Sequence, residues 1–221
     1  MDFSEKRRET GSMERSAISN YEVTRNSMEK KFLEYDQRKM IEKFGLKNSE
    51  EYLFMNFAGQ ECRISRINGK VEYYSNEENS WIHAGFNASM TIFDVLCYSK
   101  PDCRSSGKFV SLNALRGLMV ASAPGSDMFA RDAARFAGKC AQLEEACESL
   151  GGTPEKVGDV SYKIPLFDFM DVILQFWDGD EEFAPVLRVL WDENILDYMH
   201  YETTFYATSH LFERLKKLVE V

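Results

Sequence analysis

The sequence predicts an α+β fold: a largely antiparallel sheet with packed helices, in a single domain over residues 21–221 behind a flexible arm at residues 1–20. Three observations predict it. Apolar runs at 172–177 and 183–191 flank an acidic, Gly-containing break at 178–182, which is the sequence form of a hairpin. Strand-like runs at 52–58, 61–67 and 70–74 are parted by Gly59-Gln60 and Asn68-Gly69, as in a meander. No series of strand–helix–strand units appears at the spacing of a parallel sheet. With 44% apolar residues in 221, one sizeable core is expected.

Taken in order, residues 1–19 are polar and lack apolar periodicity, which gives the arm. From Tyr21 a helical pattern places Met28, Phe32, Tyr35, Met40 and Phe44 near one face, and Gly45 ends it. The meander follows, then a polar loop at 75–85 carrying Trp81 and His83. Asn87 is expected to cap a helix over 88–98, which Lys100-Pro101 stops. Residues 109–112 form a short extended piece after Ser105-Ser106-Gly107, a stretch with too few glycines for a phosphate loop. Ser126 precedes one helix over 129–150. Its stripe is Phe129, Ala133, Phe136, Cys140, Leu143, Cys147 and Leu150, so both cysteines are expected to be buried and unbridged. Residues 160–164 alternate as a strand that Pro165 interrupts. Both faces of the hairpin arms are apolar apart from Gln175 and Arg188, so both are expected to be covered. An amphipathic helix over 202–219 presents Phe205, Thr208, Phe212, Leu215 and Val219.

Charge is unevenly placed. The chain holds 36 acids and 27 bases, net −9. Residues 164–202 hold ten of those acids and one base, Arg188, so the remainder is balanced. This balance argues against a nucleic-acid partner, which needs a basic face. No apolar run reaches the length of a membrane span and no signal peptide is visible, so no membrane role and a cytoplasmic location are expected. Five cysteines without a C-x-x-C pair read as reduced thiols rather than ligands of zinc or an iron–sulfur cluster.

Three constellations are candidates for chemistry. Asp178, Asp180 and Glu182 alternate at the hairpin tip, with Asp192 at the far end of the second arm. Oxygen-rich sites suit hard cations, but the calcium-loop spacing is absent, no metal is assigned, and a solvated acidic turn is the simpler account of the residues. His200 and Glu202, joined by His83 or His210, suit a metal site or an acid–base pair; Glu202 also stands where a first-turn carboxylate favours the helix dipole. Trp81, Trp177, Trp191, Tyr98, Tyr162 and Tyr201 can line a pocket for a flat cofactor or simply pack a core. The binding set expected at the hairpin is therefore Asp178, Asp180, Glu182, Asp192, His200, Glu202, Trp177 and Arg188. Ser122 and Ser126 lack the G-x-S-x-G elbow of a hydrolase.

The run W-D-G-D-E-E-F, then V-L-R-V-L-W-D, then Tyr201-Glu202 opening the last helix, resembles the prokaryotic family called domain of unknown function 3786. The earlier D-V-L-C-Y-S and S-G-K-F-V-S-L-N-A-L-R-G-L fit the same family. The resemblance covers about residue 21 onward and implies continuity of fold. It also implies a setting near corrinoid-dependent methyl transfer, where some members carry a four-cysteine iron–sulfur module that these residues lack. Two functions remain open: a binding or accessory module for a small molecule, cofactor or protein partner, with the cofactor unknown; or a metal- or acid-dependent enzyme using Asp180, Glu182, Asp192 and Glu202.

Overall fold

A computed structural model describes residues 20–115 and 128–220. Residues 1–19 of the expected arm and residues 116–127, with Ser122 and Ser126, lie outside the described residues, and Asn20 belongs to a helix. The first helical pattern is two helices, α1 (Asn20–Phe32) and α2 (Gln37–Phe44). Asp36 makes the break: its carboxylate accepts from the N–H groups of Arg38 and Lys39 and caps α2. Gly45 ends α2 in the left-handed region, φ 62°, as its position predicts.

A two-residue strand, β1 (Lys47–Asn48), leads into the meander β2 (Tyr52–Phe57), β3 (Gln60–Ser65) and β4 (Val71–Ser75). The β2–β3 turn centres on Ala58-Gly59, both with positive φ, as a two-residue hairpin turn demands. The expected polar loop contains a further strand, β5 (Ser80–His83), paired with β4. Four residues after an acidic turn carry too little periodicity to announce themselves. Helix α3 (Phe86–Tyr98) begins at Gly85; Asn87 lies inside the first turn and caps nothing. After β6 (Phe109–Ser111) and a 3-10 turn, the expected single helix is again two, α4 (Ala130–Phe136) and α5 (Cys140–Ser149), parted at Gly138 with φ 70°.

The short β7 (Thr153–Pro154) pairs with β8 (Val160–Phe167). Pro165 does not interrupt β8; the strand continues past it through a shift of register at 165–167, where the missing N–H is tolerated. The hairpin is β9 (Met170–Trp177) and β10 (Val186–Asp192), followed by α6 (Ile195–Tyr198) and α7 (Tyr201–Val219).

Every strand pairing among the described residues is antiparallel, and the main path runs β5-β4-β3-β2-β8-β9-β10-β6. Two meanders thus lie side by side. Their junction is narrow: β2 meets β8 in the pair Phe57↔Phe167, beside an Ala58 N–H to Leu166 carbonyl bond of 2.8 Å. The helices cover one face, neighbours in the order α1, α3, α7, α5. Leu53, Met55, Phe57, Leu174, Phe176, Val189 and Trp191 are buried beneath them. On the opposite face Ile173, Trp177, Val186 and Leu190 are half-buried and Arg188 is exposed. The two-sided covering expected of the hairpin is therefore incorrect: apolar residues on the outer face are partly wet.

The helix stripe survives the break at Gly138, with Ala133, Phe136, Leu143, Cys147 and Leu150 buried. Cys140, expected to be buried, is half-buried at the start of α5. Burial pushes the Cys147 thiol up to about 12, which leaves almost no thiolate at neutral pH. In the native protein a maleimide is expected to label Cys140 well before Cys147, followed by peptide mapping of each thiol. Equal rates would show that the stripe is not packed.

Candidate functional site

The expected binding set does not converge. At the hairpin tip Asp178 and Asp180 have separate structural tasks. The N–H of Gly138, with that of Gly179, holds the Asp178 carboxyl below its ordinary range at distances of 3.0 and 2.8 Å. Asp178 thereby secures the break between α4 and α5. Asp180 accepts from the N–H groups of Glu182 and Phe183 at 2.8 and 2.7 Å, closing its own turn. Glu182 is exposed. Trp177 lies under the Arg188 guanidinium, 5.0 Å from ring centroid to Cζ, at the hairpin's surface.

Asp192 belongs to a different place. It is 3% exposed, and a loop 85 residues earlier wraps it. Ser105 Oγ donates at 2.6 Å, Ser106 N–H at 2.9 Å, Ser106 Oγ at 3.0 Å, Gly107 N–H at 2.9 Å and Asn194 N–H at 2.9 Å. Burial alone would raise this carboxyl, but the bonds from Ser105, Asn194, Ser106 and Gly107 outweigh it and hold the pKa below the ordinary range. The S-G-K and L-W-D segments singled out in the sequence are thus two halves of one clasp, with every acceptor site of the carboxylate in use.

His200 pairs with a residue that sequence reasoning missed. Asp94, buried in α3, contacts His200 Nδ1 at 2.6 Å and accepts its backbone N–H at 2.7 Å, which ties α3 to the start of α7. His83 instead pairs with Glu29 at 2.8 Å, and His210 stacks on Phe57 at 4.6 Å. Glu202 is exposed in the first turn of α7, where the helix dipole favours it. The six aromatic residues scatter likewise: Trp191 is buried, Trp81 faces Arg63, and Tyr162 donates to Glu148. Among the described residues no group of three or more His, Cys, Asp or Glu side chains is placed to hold a metal ion.

The structure instead opens a cleft of about 640 Å³ between α7, the N-terminus of α3 and the β3–β4 side of the sheet. Residues of α7 spaced three and four apart, Tyr206, His210, Glu213 and Lys217, form one wall, joined by Arg214. Tyr73 and Gln60 form the floor, and Phe86, Asn87 and Ala88 the end. His210 is buried, and its Nε2 has no hydrogen-bond partner. Burial, then the charges of Arg214 and Lys217, push its pKa down to about 3, so the imidazole is neutral. Arg214 is half-buried and donates to the Ala58 carbonyl at 3.4 Å. Of the residues here only His210 was marked for chemistry by the sequence, and as a partner of His200 and Glu202 rather than of Arg214 and Lys217. The signal that was available is the α7 stripe, whose polar flank carries His210, Arg214 and Lys217.

The family model described as Domain of unknown function (DUF3786) matches residues 36–214. No curated protein and no solved structure matches the chain significantly. No helix among the described residues is long and apolar enough to cross a membrane.

Proposed function

The chain belongs to the family described as Domain of unknown function (DUF3786), and from that premise we propose that it is a small-molecule-binding module whose site is the α3–α7 cleft. The observation that carries the reading is a concave site of ligand size whose lining combines the rings of Tyr73, Phe86 and Tyr206 with the charged side chains of Arg214 and Lys217. Aromatic walls with a few converging polar groups are what a small-molecule site presents. The carboxylate-enzyme reading loses support because Asp180 and Asp192 are engaged by backbone N–H groups and Glu202 lies apart from them. A prokaryotic, cytoplasmic setting near corrinoid-dependent methyl transfer belongs to the same proposal. The family resemblance supports it, and five unbridged cysteines favour a reducing compartment.

Ser209 is an exposed α7 residue at the cleft and is suited to a blocking substitution. In a thermal-shift screen of a metabolite library, at least one compound is expected to raise the Tm of the protein and leave that of Ser209→Trp unchanged. Hits that stabilise both proteins equally, or an absence of hits, would overturn the cleft as the site.

A further inference from the structure

We infer that His200 is a phosphoryl-accepting nucleophile: its Nε2 takes the phosphoryl group of a small reactive donor, an acyl phosphate or phosphoramidate, and Asp94 positions the ring for that attack. The inference is independent of the α3–α7 cleft, which His200 does not line. Asp94 sits in α3 among the buried side chains of Phe93, Val95 and Leu96, where a carboxylate is costly unless its oxygens are engaged. Both are spent on one residue. Oδ1 meets His200 Nδ1 at 2.6 Å, and Oδ2 accepts the His200 backbone N–H at 2.7 Å. A carboxylate only accepts, so the ring proton is on Nδ1 and the lone pair of the neutral imidazole is on Nε2. The Asp94 side chain is 9% exposed and that of His200 62%, so the acid is enclosed behind a ring that faces water. Joining α3 to α7 needs only the backbone bond; the bond to the ring adds a fixed tautomer.

In the transfer the Nε2 lone pair attacks phosphorus, and the bond from phosphorus to the donor's leaving group breaks. The leaving group departs with that electron pair. The ring keeps its Nδ1 proton and becomes a phosphorylated imidazolium, whose positive charge the Asp94 carboxylate stabilises where it arises. Two features of the surroundings favour this chemistry. Among the described residues no serine, threonine or cysteine is hydrogen-bonded to His200, so the imidazole has no hydroxyl or thiol to activate and is itself the nucleophile. The Tyr98 ring stands edge to face with the imidazole at 5.3 Å, and its hydroxyl accepts from the Lys31 ammonium. A cation therefore stands one ring away, available to the phosphoryl oxygens. The exposure of Nε2 suits a carrier, which meets a donor and then an acceptor, rather than an enclosed reaction centre.

Three histidines in the chain make the site assignable. His210 is buried and His83 meets Glu29 through Nε2, so both serve as internal controls. The full chain would be incubated with phosphoramidate and, separately, with acetyl phosphate. With at least one donor, mass spectrometry and phosphorus NMR are expected to find a single acid-labile phosphoryl group on Nε2 of His200. It should form at least about tenfold faster than on a free peptide of residues 195–205, which lacks Asp94. His200→Gln should take no label. Asp94→Asn keeps the size of the side chain and an acceptor for the backbone N–H, but turns an NH₂ toward Nδ1. The ring proton then moves to Nε2 and the attacking lone pair is lost, so the rate should fall at least about tenfold while circular dichroism shows the fold retained. Nitrogen NMR of the His200 ring should read Nδ1–H in the wild type and Nε2–H in Asp94→Asn. A role confined to joining two helices would leave the labelling rate at that of the peptide. No phosphohistidine with either donor, labelling no faster than the peptide, label on His83 or on Nδ1, or an Asp94→Asn rate equal to wild type overturns the inference.

Discussion

Replacing Phe57 by alanine is expected to cost about 3–5 kcal/mol of stability, the scale of deleting a fully buried aromatic ring. Phe57 is 0% exposed and forms the pair that joins the two meanders. Its ring stacks on Phe167 at 4.6 Å, 6° from parallel, and on His210 at 4.6 Å. Truncation removes transfer energy, leaves a cavity and separates two stacked pairs. The ladder beyond it, Phe167 on Phe169 and Phe169 on Phe44, loses its inner support. Phe57→Leu keeps most of the volume and isolates the part due to stacking, about 0.5–1.5 kcal/mol per aromatic pair. Urea unfolding of the three proteins gives the comparison. A cost near the surface scale, within about 0.5 kcal/mol, would show that the junction carries no weight.

Asp192→Asn is expected to cost roughly 2–4 kcal/mol at neutral pH, the scale of one or two charge-assisted hydrogen bonds lost from a buried site. The amide turns an NH₂ toward donors that face a carboxylate from Ser105, Ser106, Gly107 and Asn194. The sign of the pH dependence follows from the direction of the shift. Because the folded pKa lies below the unfolded one, the stabilisation is fully present above the unfolded value, about 3.9, and is lost as pH falls through the folded value. The gap between wild type and Asp192→Asn should therefore narrow as pH falls below about 4. Urea melts across that range that show a constant gap would mean the clasp holds a neutral acid.

Local chemistry made part of this molecule readable. Gly45 and the α7 stripe each follow from a few neighbouring residues, and the structure has them where those residues point, while the β2–β3 turn lies one residue before its expected place, at Ala58-Gly59. The helix breaks at Asp36 and Gly138 were hidden because the apolar stripe continues across them, and periodicity alone does not see a cap that bends the chain. Reading charge density led to the hairpin tip, yet Asp178 and Asp180 spend their carboxylates on backbone N–H groups. Asp192 and the 105–107 loop were each flagged by family resemblance, but their union across 85 residues is a tertiary fact. The cleft was the least readable feature. It is made by residues of α3, β3, β4 and α7 that meet only in the folded state.

The position of α7 has a consequence for synthesis. It follows every other described element in the chain, yet it packs against α3, α4 and α5 and places His210 on the ring at the meander junction. Each meander is built from neighbours in sequence and can pair as it leaves the ribosome, since short-range contacts form fast. The core face stays incompletely covered until residues 201–219 have emerged, although α4 already packs on β10 and α5 on β8. A nascent chain stalled before that point would carry a partly bare apolar face, the kind of surface that chaperones hold and that aggregates otherwise. Arrest at residue 200 should thus leave a ribosome-bound species sensitive to protease throughout, and release of the next twenty residues should protect both meanders in a single step.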